Sequence, residues 1–240
     1  TTLQIIGFTI TSTTGGEDDG SGAFVRIQGQ SFWDQNTQQN VYVPSSATFR
    51  NCIFTIFDSG LLQGDDLQDV AIHVNSGGAI FDNCEFTNIT VDYTNYEYGD
   101  GNGGAVRMYC GALYISRSKL TNITVSRTDN GWLNGAAIHI GDCYSTDVKI
   151  INTILADNLV SYTGGGGNYI DISGAAISSL ASGGNVQLIN STVVNNKLST
   201  TSGSQDGPIQ GSAIFFGDWN SDGYSPYLTI FNSIVYDNFI

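Results

Sequence analysis

Positive charge is scarce in this chain: eight Lys and Arg face twenty-two Asp and Glu, a formal charge of −14 over 240 residues. Nucleic acid and anionic lipid are poor partners for such a surface, because both are recognised through clustered cations. No run of about eighteen apolar residues exists, so no membrane-spanning helix is expected. No signal-peptide pattern occurs in these residues, and the chain begins Thr1-Thr2 without a methionine. No stretch sustains a helical period, so strand and loop should dominate.

What is present is repetition. The segment from Gly135 to Asn158, GAAIHIGDCYSTDVKIINTILADN, joins two short alternating apolar runs. Its opening recurs as GGAI from Gly77, GGAV from Gly103, GAAI from Gly174 and GSAI from Gly211. Its closing recurs as INSTVVNN from Ile189 and FNSIVYDN from Phe231, with looser copies from Phe49, Phe81 and Ser116. The second run aligns Gly7, Asn51, Asn83, Arg117, Asn152, Asn190 and Asn232, at spacings of 44, 32, 34, 35, 38 and 42. Strand-like runs joined by loops of unequal length predict a solenoid, since one unit cannot bury its apolar face until the next stacks on it. The expected fold is all-β, a single-stranded parallel β-helix (β-solenoid) of about seven coils with the long loops on one side. It forms one domain over residues 1–240, uncapped at both ends. Stacked asparagines at the aligned position would hydrogen-bond from rung to rung. Arg117 interrupts them, so either it swings outward or the register slips there. The segment Gln28 to Ser46 is the longest irregular stretch, with room for a short helix or hairpin.

The GGAI-like openings, paired with an apolar residue three before an Asn (Leu155 and Asn158, Val193 and Asn196, Val235 and Asn238), resemble the repeats of the polymorphic outer membrane proteins and related β-helical adhesins. The resemblance covers about five of the seven units and implies a right-handed parallel β-helix at a cell surface. Earlier units depart from the pattern, with Ile89 and Ile123 where the Asn would stand.

Abundant Gly, Asn, Ser and Thr with a single Met suggest an extracellular location. Three sequons at Asn88, Asn122 and Asn190 fit a secreted glycoprotein. Cys52 and Cys84 occupy the same place in consecutive units, and Cys110 and Cys143 sit soon after the first runs of the next two. Equivalent residues one rung apart are separated by roughly 4.8 Å, within the Cα distance a disulfide tolerates. Two bridges are therefore expected, Cys52 with Cys84 and Cys110 with Cys143; the alternative is a ladder of buried thiols.

Other motifs are less specific. Asp218-Trp219-Asn220-Ser221-Asp222-Gly223 matches the opening of an EF-hand loop, with Asp218, Asn220 and Asp222 as candidate Ca²⁺ ligands. The twelfth position is Thr229 rather than Glu, and an Asx-rich turn is the alternative. No cofactor is required, with Ca²⁺ as the one candidate. By alternation His73 and His139 should point outward as solvated strand residues, two units and therefore too far apart to share a metal. The acidic residues Asp65, Asp66, Asp69, Asp100, Asp142 and Asp157 meet on one face only if the coils bring them there; a hydrolase needs two carboxylates about 5–9.5 Å apart. Tyr93, Tyr96, Tyr98, Trp132, Tyr162 and Tyr169 lie on the loop side, as candidates for stacking on glycans or packing under their own loops. Thr55, Thr87 and Thr121 align, but Ala156, Val194 and Tyr236 follow, which excludes a regular ice-binding array.

Two functions compete. The first is a non-catalytic structural subunit of a filament or adhesive fibre, partnered by itself. Its ends would stack head-to-tail through Ile6, Ile151, Ile189, Phe231 and Ile234, along the outward column Ile6, Arg50, Asp82, Ser116, Ile151, Ile189, Phe231. The second is a carbohydrate-active or glycan-binding β-helix that uses the loop face.

Overall fold

The computed structural model describes residues 2–11, 25–34, 39–43, 45–58, 71–94, 101–129, 131–141, 146–164, 170–180, 184–200, 209–217 and 227–240. Among these there is no helix, and the strands stack in parallel as the repeat predicts. A first sheet runs through Thr2–Ile6, Ser46–Arg50, Gly77–Asp82, Gly111–Ser116, Thr146–Ile151, Asn185–Ile189 and Tyr227–Phe231. A second runs from Thr9–Thr11 through Ile53–Asp58, Glu85–Asp92, Lys119–Arg127, Ile154–Ala156 and Thr192–Val194 to Ile234–Tyr236. The third, reading along the chain, joins Val25–Gln28, Ile72–Asn75, Val106–Met108, Ile138–Ile140, Ile177–Ser179 and Ile214–Phe216. Between the second and third lies a short corner sheet of Gly101–Asn102, Gly131–Asn134, Ile170–Ser173 and Ile209–Gln210. Every pairing among these strands is parallel, which defines a parallel β-solenoid. The antiparallel exception is a hairpin, Gln30–Asp34 with Gln39–Val43, in the segment where a helix or hairpin was expected.

The aligned column from Gly7 to Asn232 is a column of left-handed residues. Gly7, Asn51, Asn83, Arg117, Asn152, Asn190 and Asn232 all have φ between 45° and 74°. That conformation costs most L-residues roughly 1–2 kcal/mol and costs Gly and Asn less, which is why the column is written in those two residues. Arg117 keeps the register (φ 52°) and swings outward, its guanidinium gripping Asp82 at 2.9 and 2.6 Å. Amides bond along the column from Asn83 to Asn51 and from Asn232 to Asn190, both at 2.8 Å. A second left-handed column follows at Asn88, Asn122, Asp157, Asn195 and Asp237.

The interior is filled by columns of like residues. Phe49 stacks on Phe81 (centroids 5.0 Å) and Phe54 on Phe86 (4.5 Å), each pair meeting the other edge-on. Further along, the same columns continue as Ile115, Ile150 and Leu188, and as Leu120, Leu155 and Val193. Two polar ladders run inside as well. Asn158, Asn196 and Asn238 link side chain to side chain at 2.8 and 2.9 Å and donate to backbone carbonyls, whereas Ile123 and Ile89 take that place in the preceding rungs. Ser118, Thr153, Ser191 and Ser233 form the other, each hydroxyl donating to the carbonyl two residues back. Cys52 and Cys84 are its first members.

That placement corrects one expected bridge. Cys52 and Cys84 are free and buried; their thiols donate to Arg50 O at 3.3 Å and to Phe49 O at 3.5 Å, doing the work of the hydroxyls above them. Burial pushes the Cys84 thiol up to about 11. Cys110 is disulfide-bonded, and Cys143 lies outside the described residues.

One sequence match is a coincidence of letters. GGAI from Gly77 belongs to the first sheet, where Ala79 pairs Ala47 and Leu113, whereas GGAV, GAAI and GSAI lead into the third. Their true counterpart in that coil is Ala71-Ile72, whose N–H groups donate to Gly104 O and Ala105 O.

Candidate functional site

Each coil bends sharply between the corner sheet and the third sheet. The bend is made by Gly103, Gly135, Gly174 and Gly211, all with φ between 55° and 85°. A Cβ on Gly135 would stand 2.3 Å from Ile138 O, so only glycine lets the strand double back this tightly. The two strands that flank the bend consequently face each other with their non-core side chains, as the 2.9 Å contact of Ser173 Oγ with Ser178 Oγ records.

The resulting corner is polar along its length. On the third sheet the facing column reads Arg26, His73, Arg107, His139, Ser178, Phe215. On the corner sheet it reads Asn102, Asn134, Ser173, Gln210, with Trp132 and Asp171 two residues earlier on the middle strands. Asn134 donates to Asn102 Oδ1 at 2.9 Å and accepts from Ser173 Oγ at 2.6 Å. His73, Arg107 and His139 are 2%, 7% and 1% exposed, so the expectation of outward, solvated histidines is wrong. Alternation set their side of the strand correctly, but the corner sheet covers that side. Burial first, and Arg107 second, lower His73 to about 4 and hold His139 well below the usual imidazole range. Both are therefore neutral at pH 7. His139 Nδ1 is buried without a hydrogen-bond partner.

Where the column passes from His139 to Ser178 and Phe215, the corner opens into a cavity of about 200 Å³. Trp132, Asn134, Asp171 and Gln210 line one wall, and Leu180, Phe215 and Gly217 the other. A Cβ on Gly217 would press to 2.7 Å from the Phe215 ring, so this glycine makes room for it. Asp171 has no hydrogen-bond or ion-pair partner among the described residues, and burial raises its carboxyl above the usual range.

A second depression lies on the outer face of the first sheet, around Arg50, Asp82, Tyr114, Arg117 and Ile151. Asp82 is saturated there by the Arg117 fork and by Ser116 Oγ at 2.7 Å, and Arg117 holds its carboxyl below the usual range. A further hollow, about 550 Å³, is at the last rung, walled by Ala213, Phe216, Leu228, Ile230 and Val235.

The predicted site residues separate. Of the glycan-stacking candidates, Tyr93 and Tyr162 are buried in the core, and Tyr93 donates its hydroxyl to Gly103 O. This is a correction: Tyr162 closes the strand Leu159–Tyr162 and Tyr93 directly follows Glu85–Asp92, so both rings stay with the coil and turn into the core. Trp132 reaches the corner cavity, and Tyr96, Tyr98 and Tyr169 lie outside the described residues. So do Asp218, Asn220 and Asp222, and among the described residues no three His, Cys, Asp or Glu gather as metal ligands. Asp65, Asp66, Asp69, Asp100 and Asp142 are likewise outside; Asp157 is an exposed turn residue that accepts from Asn195 Nδ2. Asn88, Asn122 and Asn190 are exposed at left-handed turns, and Asn122 Nδ2 donates to Asn88 Oδ1. The outward column from Ile6 to Phe231 has the expected register, with Ile151 and Ile189 half-buried, and Ile234 is exposed on the last rung of the second sheet. Sequence reading missed the corner sheet itself, since its strands are two to four residues long and lie among glycines.

No protein-family model, no curated protein and no solved structure matches the chain.

Proposed function

We propose that this chain is a structural segment of an extracellular or cell-surface rod, a right-handed β-solenoid of about seven coils that extends head-to-tail with a second copy of itself. The observation that supports the reading is the uniform parallel register of the first sheet, in which each rung repeats the pairing of the one before and Ile6 and Phe231 stand in one outward column. An open rung also presents unpaired N–H and C=O groups, which another strand of matching register satisfies. A head-to-tail contact of this kind is heterologous and does not close, so it propagates. The resemblance to the polymorphic outer membrane protein repeats points to the same setting.

The test is a concentration series of the purified chain, followed by light scattering and negative-stain imaging. Filaments one solenoid wide are expected, and Ile6→Lys or Ile234→Lys should leave a folded monomer. A native chain that stays monomeric at millimolar concentration overturns the reading.

A further inference from the structure

The corner cavity lies on the flank of the solenoid, between the last rungs of the corner and third sheets, and the rod reading gives it no role. We propose that it is a binding site for a single neutral pyranose ring, a free monosaccharide or one residue of a glycan.

Four features converge on that chemistry. Asp171 is half-buried with no donor to satisfy it among the described residues, and burial is the cause that raises its carboxyl. A carboxylate in this position gains most from a ligand that brings hydroxyl donors, because charge-assisted hydrogen bonds are about twice as strong as neutral ones. Trp132 and Phe215 supply an aromatic ring on each wall, apolar surfaces for the C–H face of a sugar. Gln210 adds an amide, which both donates to and accepts from a hydroxyl. That combination, rings with a few convergent polar groups in a concavity, is what small-ligand sites are built from. The volume sets the size, since about 200 Å³ falls below the roughly 300–1,000 Å³ of sites for drug-sized ligands and suits one ring.

The construction explains why the cavity opens at this rung. In the preceding rungs the corner is filled by Arg107 and His139, and at the cavity the column shrinks to Ser178. The neighbouring column holds glycine at Gly217, whose missing Cβ keeps the Phe215 ring in place. A quaternary ammonium also suits rings beside a carboxylate, but it makes no use of Gln210.

Among the described residues Asp171 is the one acidic side chain on the cavity wall, whereas hydrolysis takes two carboxylates about 5–9.5 Å apart. The proposal is accordingly one of binding, with no chemical step assigned to the site.

The experiment is an NMR titration of the full chain with glucose, galactose, mannose and N-acetylglucosamine, and with tetramethylammonium as the cationic control. At least one sugar should move the Trp132 indole and Gln210 side-chain amide signals with millimolar affinity. Asp171→Asn should weaken that affinity about tenfold without lowering the melting temperature, and Gln210→Ala should weaken it severalfold. Three outcomes overturn the proposal: no sugar shifting these signals at 100 mM, sugar binding that survives Asp171→Asn unchanged, or shifts produced by tetramethylammonium alone. None of these depends on whether the chain forms filaments.

Discussion

His139 sits one rung beyond Arg107 in the parallel register of the third sheet, and both side chains are buried under the corner sheet. His73 lies on the other side of Arg107, so the guanidinium is flanked by two imidazoles that burial and its own charge keep neutral. Protonating either places a second cation beside the first in a poorly solvated seam.

The pH dependence follows in sign. His73 titrates near 6.5 when unfolded and at about 4 when folded, so in that interval the unfolded chain binds more protons. Its contribution to stability is complete above pH 6.5 and is lost as pH falls through 4, with His139 acting in the same direction. The urea midpoint should therefore drop between pH 6.5 and 4, and His73→Gln should flatten that drop. A midpoint independent of pH across this range would contradict the buried, neutral assignment.

The amide ladder gives a second expectation. Asn196 receives the Asn158 amide, donates to Asn238 Oδ1 and to two backbone carbonyls, and is fully buried. Asn196→Leu leaves those carbonyls and the Asn158 amide without partners, at about 1–3 kcal/mol for each buried group. A loss of roughly 3 kcal/mol or more is expected from denaturant unfolding. Asn152→Ala, at an exposed left-handed turn, should cost only about 1 kcal/mol and Asn152→Gly less.

Gly135→Ala combines positive φ with a backbone collision, its Cβ standing 2.3 Å from Ile138 O. It should destabilise by more than 2 kcal/mol, because backbone atoms cannot step aside as a side chain can. Circular dichroism melts would register this as a fall of several degrees.

The thiols offer a chemical check. Cys52 and Cys84 should resist alkylation in the native protein, since both are buried and the Cys84 thiol is held protonated up to about 11. Both should react at once in denaturant without reductant. Cys84→Ser should be nearly neutral, within about 1 kcal/mol, because serine already fills the ladder at Ser118. Rapid native labelling of either thiol would argue against the ladder.

The alignment of Gly7 with the asparagines and Arg117 was legible because a left-handed turn is written in a small alphabet, so the register of the rungs could be read from it, although the break that turns one apolar run into two sheets could not. The Ile6 to Phe231 column followed from it. The corner was not legible. Period-two alternation says which side of the strand His139 takes, but nothing local says that Gly131–Asn134, a four-residue strand from the same coil, will fold back to cover it. The repeat at Gly77 misled for a related reason, since a tetrapeptide of small residues suits both a tight bend and a strand packed closely on its neighbour. Trp132 was found as an aromatic near a loop, whereas Asp171 and Gln210, which share its cavity, carry no signal until the rungs are stacked.

The parallel register also has a mechanical consequence. Strands lie across the solenoid and their hydrogen bonds lie along it, so a pull on the two ends loads the rungs in series, and each rung contacts only its neighbours. Under tension such a chain yields one turn at a time, paying out some thirty to forty-five residues of slack per event, and the turns still wound keep their shape and regain the lost one when the load is removed.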